Sequence, residues 1–405
     1  MPDTPVILSA CRTPIGRYLG GLAGRSAVEL GEIAARASMA RAGIEPSAID
    51  EAILGNVLSA GLGQAPARQV ALRAGIPASA SALTINMVCG SGLRAVMLGA
   101  ALIRAGEAGV VLAGGMESMS NAPHLLSGAR GGWKLGDRPL VDSLLHDGLR
   151  CATEGWPMGM AAERTADQAG LSRLDLDAFA LESHRRALAA QRSGAFEAEI
   201  VGVPLAGKPG SRTELANDEG PRADASAEGL ARLAPAFRPE GIVTAGNAST
   251  LSDGAAMLVI ASAARAARLN ATPIARIVAS AIAGQEPRDL FLAPIGAIRA
   301  VLKAAGLALA EIDLFEINEA FAAQMLACVR ALEIDPARVN VHGGAIALGH
   351  PIGASGARVL VTLLHALQLR GAKLGMAALC LGGGNAVAMI VERIAGFDRP
   401  AVPAP

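Results

Sequence analysis

The sequence predicts an α/β fold built from two related halves, with a less regular insertion in the first. Three observations support this prediction. Short buried-strand patterns alternate with helical periodicity up to about residue 117, and the alternation resumes from residue 251 to 392. Such alternation predicts a mostly parallel sheet that helices cover on both faces. Parts of the first stretch recur in the second, and most glycine, proline and charge clusters lie between them, at 118–248.

The internal repeat consists of two pairs of matching segments in the same order. Residues 89–115 resemble residues 354–384, since each has a Ser-Gly pair near its start, continues as an apolar helix and ends in a glycine-rich strand. Upstream, residues 42–56 resemble residues 305–318. The copies differ in their polar residues, because a cysteine precedes one repeated helix and a histidine precedes the other. A composite active site is expected from such a scaffold.

The elements of the first half follow from hydrophobic periodicity and from helix-ending glycines. Gly43 and Gly75 end the two helices. The predicted elements are a strand at 6–10, a helix at 27–42, a strand at 52–57, a helix at 64–74 and a strand at 82–88. Within the insertion we predict helices at 158–169 and 175–193. An insertion of this kind usually covers or lines a site. The Pro/Ala-rich tail beyond Phe397 is predicted to be disordered.

Composition excludes several classes of function. A chain of 405 residues exceeds the size of a single core, so two or three domains are expected. The 36 basic and 36 acidic residues form no run of like charge, and aromatic residues make up 2%, so we expect no nucleic-acid partner. The five cysteines include no Cys-x-x-Cys pair, which argues against a disulfide framework and against a metal site.

The apolar windows predict no membrane association. Arg104 and Glu107, or Arg265 and Arg268, interrupt them well short of about 20 apolar residues. The start of the chain lacks the basic region of a signal peptide, and its end is not a peroxisomal address. We therefore expect a cytoplasmic protein.

Cys89 lies where a predicted strand ends and a glycine-flanked helix begins. Free amides and the positive end of the helix dipole lower the pKa of a thiol in such a place, which favours a nucleophile. A small buried hydrophobic residue is the alternative, and position alone leaves both open. Residues 90–95 also match a dinucleotide-binding pattern, but no acidic residue follows at the next strand end, so we discount that match.

His350 lies in the glycine-rich segment 342–356, just before a helix. A general base is expected in such a loop, whereas an isolated histidine is more often structural. Cys380 ends a strand and opens onto three glycines, whose amides are free to point at an oxyanion. A core cysteine at a turn is the alternative. Asn318 supplies an amide that could hold a water or cap the following helix.

In combination these motifs resemble the thiolase family, over about residues 5–395. The motifs that carry the resemblance are Val-Cys-Gly-Ser-Gly at 88–92, Asn-Glu-Ala-Phe at 318–321, Gly-Gly-(x)4-Gly-His-Pro-(x)2-Ala-Ser-Gly at 343–356, Cys-Leu-Gly-Gly-Gly at 380–384, and shorter matches at 12–16 and 246–249. The resemblance implies two βαβαβαββ halves stacked as five αβαβα layers. The implied domains are a first half at 1–117 and 249–270, a loop domain for coenzyme A binding and oligomerisation at 118–248, and a second half at 271–405.

The resemblance also implies a role for each polar residue above. Cys89 would be the nucleophile that takes the acyl group from coenzyme A, His350 its activating base, and Cys380 a second acid and base. One oxyanion hole would use His350 and a water held by Asn318. The other would use the backbone amides of Cys89 and Gly382.

Coenzyme A, acetyl-CoA and other acyl-CoAs are the implied substrates and products, with no permanently bound cofactor. The positions expected to hold coenzyme A are Ser249, Phe237, Arg222 and Leu149, and those expected to bound the acyl pocket are Met158 and Phe321. Lysines are few, so the phosphates are expected to meet Arg222 or Lys208. A homo-oligomer, dimer or tetramer, is expected.

The expected reaction is Claisen condensation, or thiolysis of 3-ketoacyl-CoA including acetoacetyl-CoA, within fatty acid metabolism. Pro157 before Met158 is closer to degradative members, whereas residues 131–149 resemble the biosynthetic pattern with its tetramerisation loop, and Gly229 replaces a serine of some relatives. Chain length therefore stays open. Alternatives are a decarboxylating ketoacyl synthase, against which Cys380 argues, and a non-catalytic acyl-CoA or lipid carrier.

The remaining cysteines and two helical histidines are expected to have no catalytic role. We also expect His184 and His365 to have no nearby partner. The cysteines concerned are Cys11, Cys151 and Cys328.

Overall fold

The structure is a computed structural model, and it describes residues 4–205 and 213–394. Lys208 and the tail beyond Phe397 lie outside the described residues. The strands are β1 (Pro5–Arg12), β2 (Gly16–Arg17), β3 (Glu51–Gly55), β4 (Ser81–Ile85), β5 (Val110–Ser118), β6 (His124–Leu125), β7 (Val141–Asp142), β8 (Val203–Pro204), β9 (Glu214–Leu215), β10 (Ser252–Ser262), β11 (Ala275–Gly284), β12 (Leu314–Ile317), β13 (Leu374–Leu381) and β14 (Asn385–Arg393).

The α-helices largely follow the predicted periodicity. They are α1 (Ala27–Ala42), α2 (Pro66–Arg73), α3 (Ser91–Ala105), α4 (Met158–Gln168), α5 (Arg173–Arg192), α6 (Ala227–Ala231), α7 (Ala263–Arg268), α8 (Ala293–Ala305), α9 (Ala322–Leu332), α10 (Ala345–Leu348) and α11 (Ile352–Leu369). Helix α1 has the predicted bounds because Ser26 and Glu29 form a capping box at its start and Gly43 ends it in a left-handed conformation.

The strands of the two halves occur in the same spatial order. In the first half the order is β4-β3-β5-β10-β1, and in the second it is β12-β13-β14-β11. A parallel bridge between Phe315 and Val339 stands beside β12, as β4 stands beside β3. Two residue pairs between β1 and β11 join the halves into one hydrogen-bonded sheet. The predicted duplication is therefore confirmed.

The prediction of a mostly parallel sheet is wrong. Strand β3 runs parallel to β4 and β5, and β12 runs parallel to β13, but β1, β10, β11 and β14 pair antiparallel with their neighbours. The turn at 382–384 joins β13 to β14 directly, and so short a connection can only form an antiparallel pair. The parallel pairs are those of β3 with β4 and β5, and of β12 with β13.

Two aspartates show the repeat at atomic detail. The Oδ2 atom of Asp50 accepts hydrogen bonds from the amides of Gly109 and Val110, at 2.8 and 2.9 Å. The Oδ2 atom of Asp313 accepts from two consecutive amides at the start of β13, both at 2.8 Å. In the first half these bonds fix the start of β5 against the residue that precedes β3. In the second half they fix the start of β13 against the residue that precedes β12.

Helices and sheet halves form the expected five layers. Helices α1 and α2 pack on the outer face of the first half, and α8 and α9 cover the second. Helices α3 and α11 lie between the sheet halves and cross at glycines: a Cβ atom on Gly92 would lie 2.6 Å from the amide nitrogen of Ala357, and Gly356 meets Leu93 as closely. Only glycine allows this approach, which brings the starts of both helices together.

The two central helices are also long and apolar. By length and composition both could span a membrane, with mean hydropathy of 1.4 over Val88–Ala105 and 1.3 over Ile352–Leu369. Of these windows 56% and 83% are buried inside the protein. Their position in the middle layer accounts for their apolar sequence.

The segment between β5 and β10 contains the predicted insertion, including α4 and α5. A buried ion network ties it to β1: Arg12 Nε lies 2.6 Å from Glu199 Oε1, and Arg12 Nη1 lies 2.6 Å from Asp218 Oδ1. The guanidinium also stacks 5.1 Å from the ring centroid of Phe196. The predicted domain boundaries stay a prediction.

Candidate active site

Most of the predicted site residues lie around one pocket. Its cavity has a volume of about 320 Å³ and is walled mainly by apolar side chains. The predicted residues that line it are Leu149, Met158, Phe237, Ser249, Phe321, Cys89, His350, Cys380 and Gly382. Asn318 lies directly behind His350, and Arg222 lies outside the pocket lining.

Strand β4 ends at Ile85, three residues earlier than predicted, and a strained turn follows it. Cys89 lies at the end of this turn. Val88 has a φ of 48°, which is unfavourable for a β-branched residue. Ser91 holds this turn, because its Oγ atom accepts from the amide of Met87 at 2.8 Å and donates to the carbonyl of Val88 at 2.7 Å. Strain at such a position is typical of functional sites. It places the thiol of Cys89 in the pocket, before the first turn of α3.

The imidazole of His350 faces the thiol of Cys89, with 3.3 Å between Nε2 and Sγ. On the other side of the ring, Nδ1 lies 2.6 Å from Ser355 Oγ. The hydroxyl of Ser355 donates its only hydrogen to the carbonyl of Pro351, at 2.9 Å. It therefore accepts from Nδ1–H, which leaves Nε2 unprotonated towards Cys89. Ser355 fixes the tautomer that a base acting on Cys89 needs.

Both partners of this contact are neutral. Two effects lower the pKa of His350 to about 3: burial, which is the larger, and the positive charge of Arg358. Burial raises the pKa of Cys89 to about 12, although the amides of Gly382 and of Cys89 itself lower it. The prediction that the helix start lowers this pKa is thus wrong, because desolvation outweighs the helix terminus. The thiol needs a base, and His350 is placed to be one.

Cys380 lies in β13 and is 1% exposed. Burial raises the pKa of its thiol well above the usual value, and the proximity of Cys89 raises it further. Beyond it, Gly383 and Gly384 have φ values of 82° and 90°, so the turn requires glycine. This turn presents the amide of Gly382 to Cys89.

Asn318 follows β12 and is buried. Its Nδ2 atom lies 3.4 Å from Nε2 of His350. It does not cap α9, because Phe321 is the residue at the N-cap position. Its Oδ1 atom has no hydrogen-bond partner among the described residues although it is buried. A buried amide oxygen normally has a donor, so this atom suits a small polar ligand such as water.

Glu117, at the end of β5, was missed by the sequence analysis. Its carboxylate accepts from the amides of Val57, Leu58 and Gly353, at 3.1, 3.2 and 2.9 Å, and from the side chain of Asn56 at 2.8 Å. Burial raises the pKa of Glu117 to about 7, against the effect of the three amides. Because Gly353 belongs to the first turn of α11, Glu117 ties the His350 loop to the first half.

Of the residues predicted to hold coenzyme A, all but Arg222 line the pocket. Ser249 is held at the pocket by its amide, which donates to the carbonyl of Ala320 at 3.0 Å. Arg222 is exposed and has no ion pair among residues 4–205 and 213–394. The backbone amide of Arg222 donates to Nδ1 of His184 at 3.2 Å. Burial is the main cause that lowers the pKa of His184 to about 4, and the positive charge of Arg222 lowers it further.

His184 and His365 thus contradict the expectation that they have no partner. Nε2 of His365 lies 3.0 Å from the carbonyl of Ala10. Each helix packs its histidine against a backbone segment that is distant in sequence. Neither histidine lines the pocket, nor do Cys11, Cys151 and Cys328. In the described parts of the chain, no group of three or more His, Cys, Asp or Glu residues could hold a metal ion.

Comparison with known proteins agrees with this geometry. Residues 5–264 match the family described as thiolase, N-terminal domain, and residues 271–393 match thiolase, C-terminal domain. A probable acetyl-CoA acetyltransferase of Escherichia coli (strain K12) is 53% identical over 388 residues, which cover 96% of this chain and 98% of the relative. An acetyl-CoA acetyltransferase of the same strain is 51% identical over 390 residues, covering 96% and 99%.

Solved structures give the same result. The crystal structure of human mitochondrial 3-ketoacyl-CoA thiolase superposes with a TM-score of 0.95 at 42% identity, covering 97% of this chain and 100% of that one. The Acat5 thiolase from Ascaris suum, in complex with coenzyme A, superposes with a TM-score of 0.91 at 44% identity, covering 96% and 100%.

Proposed function

The chain belongs to the thiolase family, and from this premise we propose that it transfers acyl groups between coenzyme A thioesters through Cys89. The reaction is Claisen condensation of acetyl-CoA with an acyl-CoA, or its reverse, thiolysis of a 3-ketoacyl-CoA such as acetoacetyl-CoA. The observation that carries the proposal is the 3.3 Å contact between Sγ of Cys89 and Nε2 of His350 in an apolar pocket.

In the first step the thiol of Cys89 attacks the thioester carbonyl while its proton moves to Nε2 of His350. Because burial disfavours a free thiolate, proton transfer accompanies attack. The carbonyl oxygen becomes an oxyanion, which the amides of Cys89 and Gly382 stabilise. The bond from the carbonyl carbon to the coenzyme A sulfur then breaks. The departing thiolate takes the proton of Cys380, which leaves a Cys380 thiolate beside a protonated His350.

In the second step the Cys380 thiolate removes a proton from the α-carbon of acetyl-CoA. The enolate oxygen accepts from Nε2–H of His350 and from a water at Asn318, whose buried Oδ1 supports this role. The enolate carbon attacks the acyl group on Cys89, and the bond to Sγ breaks. Cys89 recovers its proton from His350, while Cys380 keeps the α-proton. All three groups are thereby returned to their starting states.

Coenzyme A is bound as substrate and product, and no permanently bound cofactor takes part. Leu149, Phe237 and Ser249 line the pocket where the pantetheine arm would lie. Arg222 is exposed and forms no ion pair with the residues that the structure describes, so its guanidinium is free to meet the phosphates of coenzyme A. The complex of the Ascaris relative with coenzyme A supports this substrate class.

The proposed assembly is a homo-oligomer, dimer or tetramer, in the cytoplasm, serving fatty acid metabolism. Support for assembly comes from apolar side chains exposed on one segment before α4. They are Leu126, Trp133, Leu135, Leu140 and Leu145. Exposed apolar groups concentrated in this way mark an interaction surface.

Labelled acetyl-CoA tests the central proposal. Wild-type protein and the Cys380→Ala variant should retain the acetyl label after denaturation, whereas Cys89→Ala should not. Cys151→Ala is the matched control, because Cys151 is buried outside the pocket lining. A label still bound to Cys89→Ala would refute the assignment.

Turnover separates an enzyme from a carrier. The non-catalytic alternative predicts coenzyme A binding without thiolysis of acetoacetyl-CoA or longer 3-ketoacyl-CoAs. The juxtaposition of Cys89, His350 and Cys380 favours turnover, and Cys380 beside Cys89 also argues against a ketoacyl synthase.

A further inference from the structure

Three phenylalanines in the described part of the chain line the pocket: Phe237, Phe291 and Phe321. We propose that Phe291, which the sequence analysis did not single out, closes the acyl end of the pocket and restricts the group carried on Cys89 to short chains. This inference rests on the proposed function and names its substrate class.

The side of the pocket that holds Phe291 is the side that faces an acyl chain. Cys89 packs with Leu149 and Leu251 in one apolar cluster, on the side where coenzyme A is proposed to enter. Phe291 belongs to another cluster, together with Phe321 and Cys380. A chain attached to Sγ of Cys89 that extends away from coenzyme A therefore meets this second cluster.

Phe291 is held in place from several directions. It is 2% exposed, and its ring centroid lies 5.3 Å from that of Phe321 in an edge-to-face arrangement with 61° between the planes. Its carbonyl accepts a hydrogen bond from Sγ of Cys328 at 3.3 Å. The 3-10 helix Pro287–Leu292, which carries Phe291, packs against α4, α8, α9 and β13. Since such an interior is close-packed, the ring has no free volume to move into on the sides away from the pocket.

Phe321 continues this wall, and Phe237 adjoins it at the end proposed for the pantetheine arm. Their ring centroids lie 6.2 Å apart with 74° between the planes. The ring of Phe237 lies directly on Gly159, where an added Cβ would overlap it. The three rings therefore support one another, and the wall is rigid. A longer acyl chain would have to displace a packed ring.

The energetic consequence is selection by length. One methylene that an apolar pocket cannot accommodate lowers kcat/KM by roughly 10- to 200-fold. Replacing Phe291 with alanine removes the volume of about three to four methylenes at interior packing density. The variant should therefore accept acyl chains longer by about that number of carbons.

The experiment measures kcat/KM for thiolysis across 3-ketoacyl-CoAs of C4 to C16. For the wild type, kcat/KM should be highest at C4 and fall at least about tenfold by C8 to C10. Phe291→Ala should raise the C8-to-C4 ratio of kcat/KM by at least about tenfold, with the KM for coenzyme A unchanged. Phe179→Ala is the matched control, since Phe179 is partly buried beside the same cluster but does not line the pocket.

Phe291→Leu covers the case in which the alanine variant fails to fold. It keeps much of the side-chain volume and should shift the ratio in the same direction by a smaller factor. An unchanged ratio in either variant with an intact melting transition, or a wild type as active at C10 as at C4, overturns the inference. A wild type that thiolyses nothing and retains no acetyl label overturns the proposed function itself, whereas an active wild type with an unshifted Phe291→Ala profile overturns only this inference.

Discussion

Replacing Ser355 with alanine tests whether the tautomer of His350 controls acylation. The substitution removes the acceptor that lies 2.6 Å from Nδ1 and leaves this nitrogen buried without a partner. Leaving a buried polar group unsatisfied costs about 1–3 kcal/mol. If that cost falls on the reactive tautomer, acylation slows by roughly 5- to 150-fold, at about 1.4 kcal/mol per factor of ten.

Single-turnover acylation by acetyl-CoA is the appropriate assay, because it isolates the step in which Nε2 takes the proton of Cys89. The rate constant should fall while KM stays within about twofold, since Ser355 lies behind His350 and does not line the pocket. Ser38→Ala is the control: Ser38 is also buried and hydrogen-bonded, but it lies on α1 and contacts Ser9. An acylation rate within twofold of the wild type, in a folded Ser355→Ala protein, would show that the tautomer is fixed by other means.

Three further outcomes follow from the site. Cys380→Ala should still be acetylated but should not exchange the α-hydrogen of acetyl-CoA in deuterated buffer, and retained exchange excludes Cys380 as the base. Asn318→Ala should reduce condensation by about 100- to 1000-fold, as expected for loss of an oxyanion-hole donor, while acylation changes less than tenfold. The raised pKa of Glu117 predicts that its contribution to stability is present below its unfolded value of 4.5 and is lost as pH rises through about 7. The Tm of the wild type should therefore fall more steeply between pH 5 and 8 than that of Glu117→Gln, and parallel Tm profiles would contradict this.

The sequence predicted those features of the fold and site that depend on residues close together in the chain. The bounds of α1 agree with prediction because a serine cap and a left-handed glycine lie at its ends. The predicted nucleophile, base and second cysteine line one pocket because each ends a strand or precedes a helix in a repeated unit. The pattern could not give strand direction in the antiparallel pairs, because apolar runs are the same in either direction.

Burial and distant contacts explain the failures. The pKa of Cys89 is raised because atoms from both halves surround it, which no feature of residues 88–92 reveals. Glu117 bonds to an amide 236 residues away, and its strand reads as ordinary apolar sequence up to that residue. His184 was expected to have no partner, but it accepts from the amide of Arg222, a contact that periodicity cannot show.

The duplication itself explains how the site is assembled. Ser91 and Ser355 occupy matching places in the repeat, at the starts of α3 and α11, but their side chains make different hydrogen bonds. Ser91 holds the strained turn of Cys89, and Ser355 orients the ring of His350. Because Gly92 and Gly356, the next residue in each copy, let the two helices touch, the two helix starts converge on one point. Any side chain larger than hydrogen at either glycine should therefore lengthen the distance from Sγ to Nε2 and slow acylation, even though neither glycine touches the substrate.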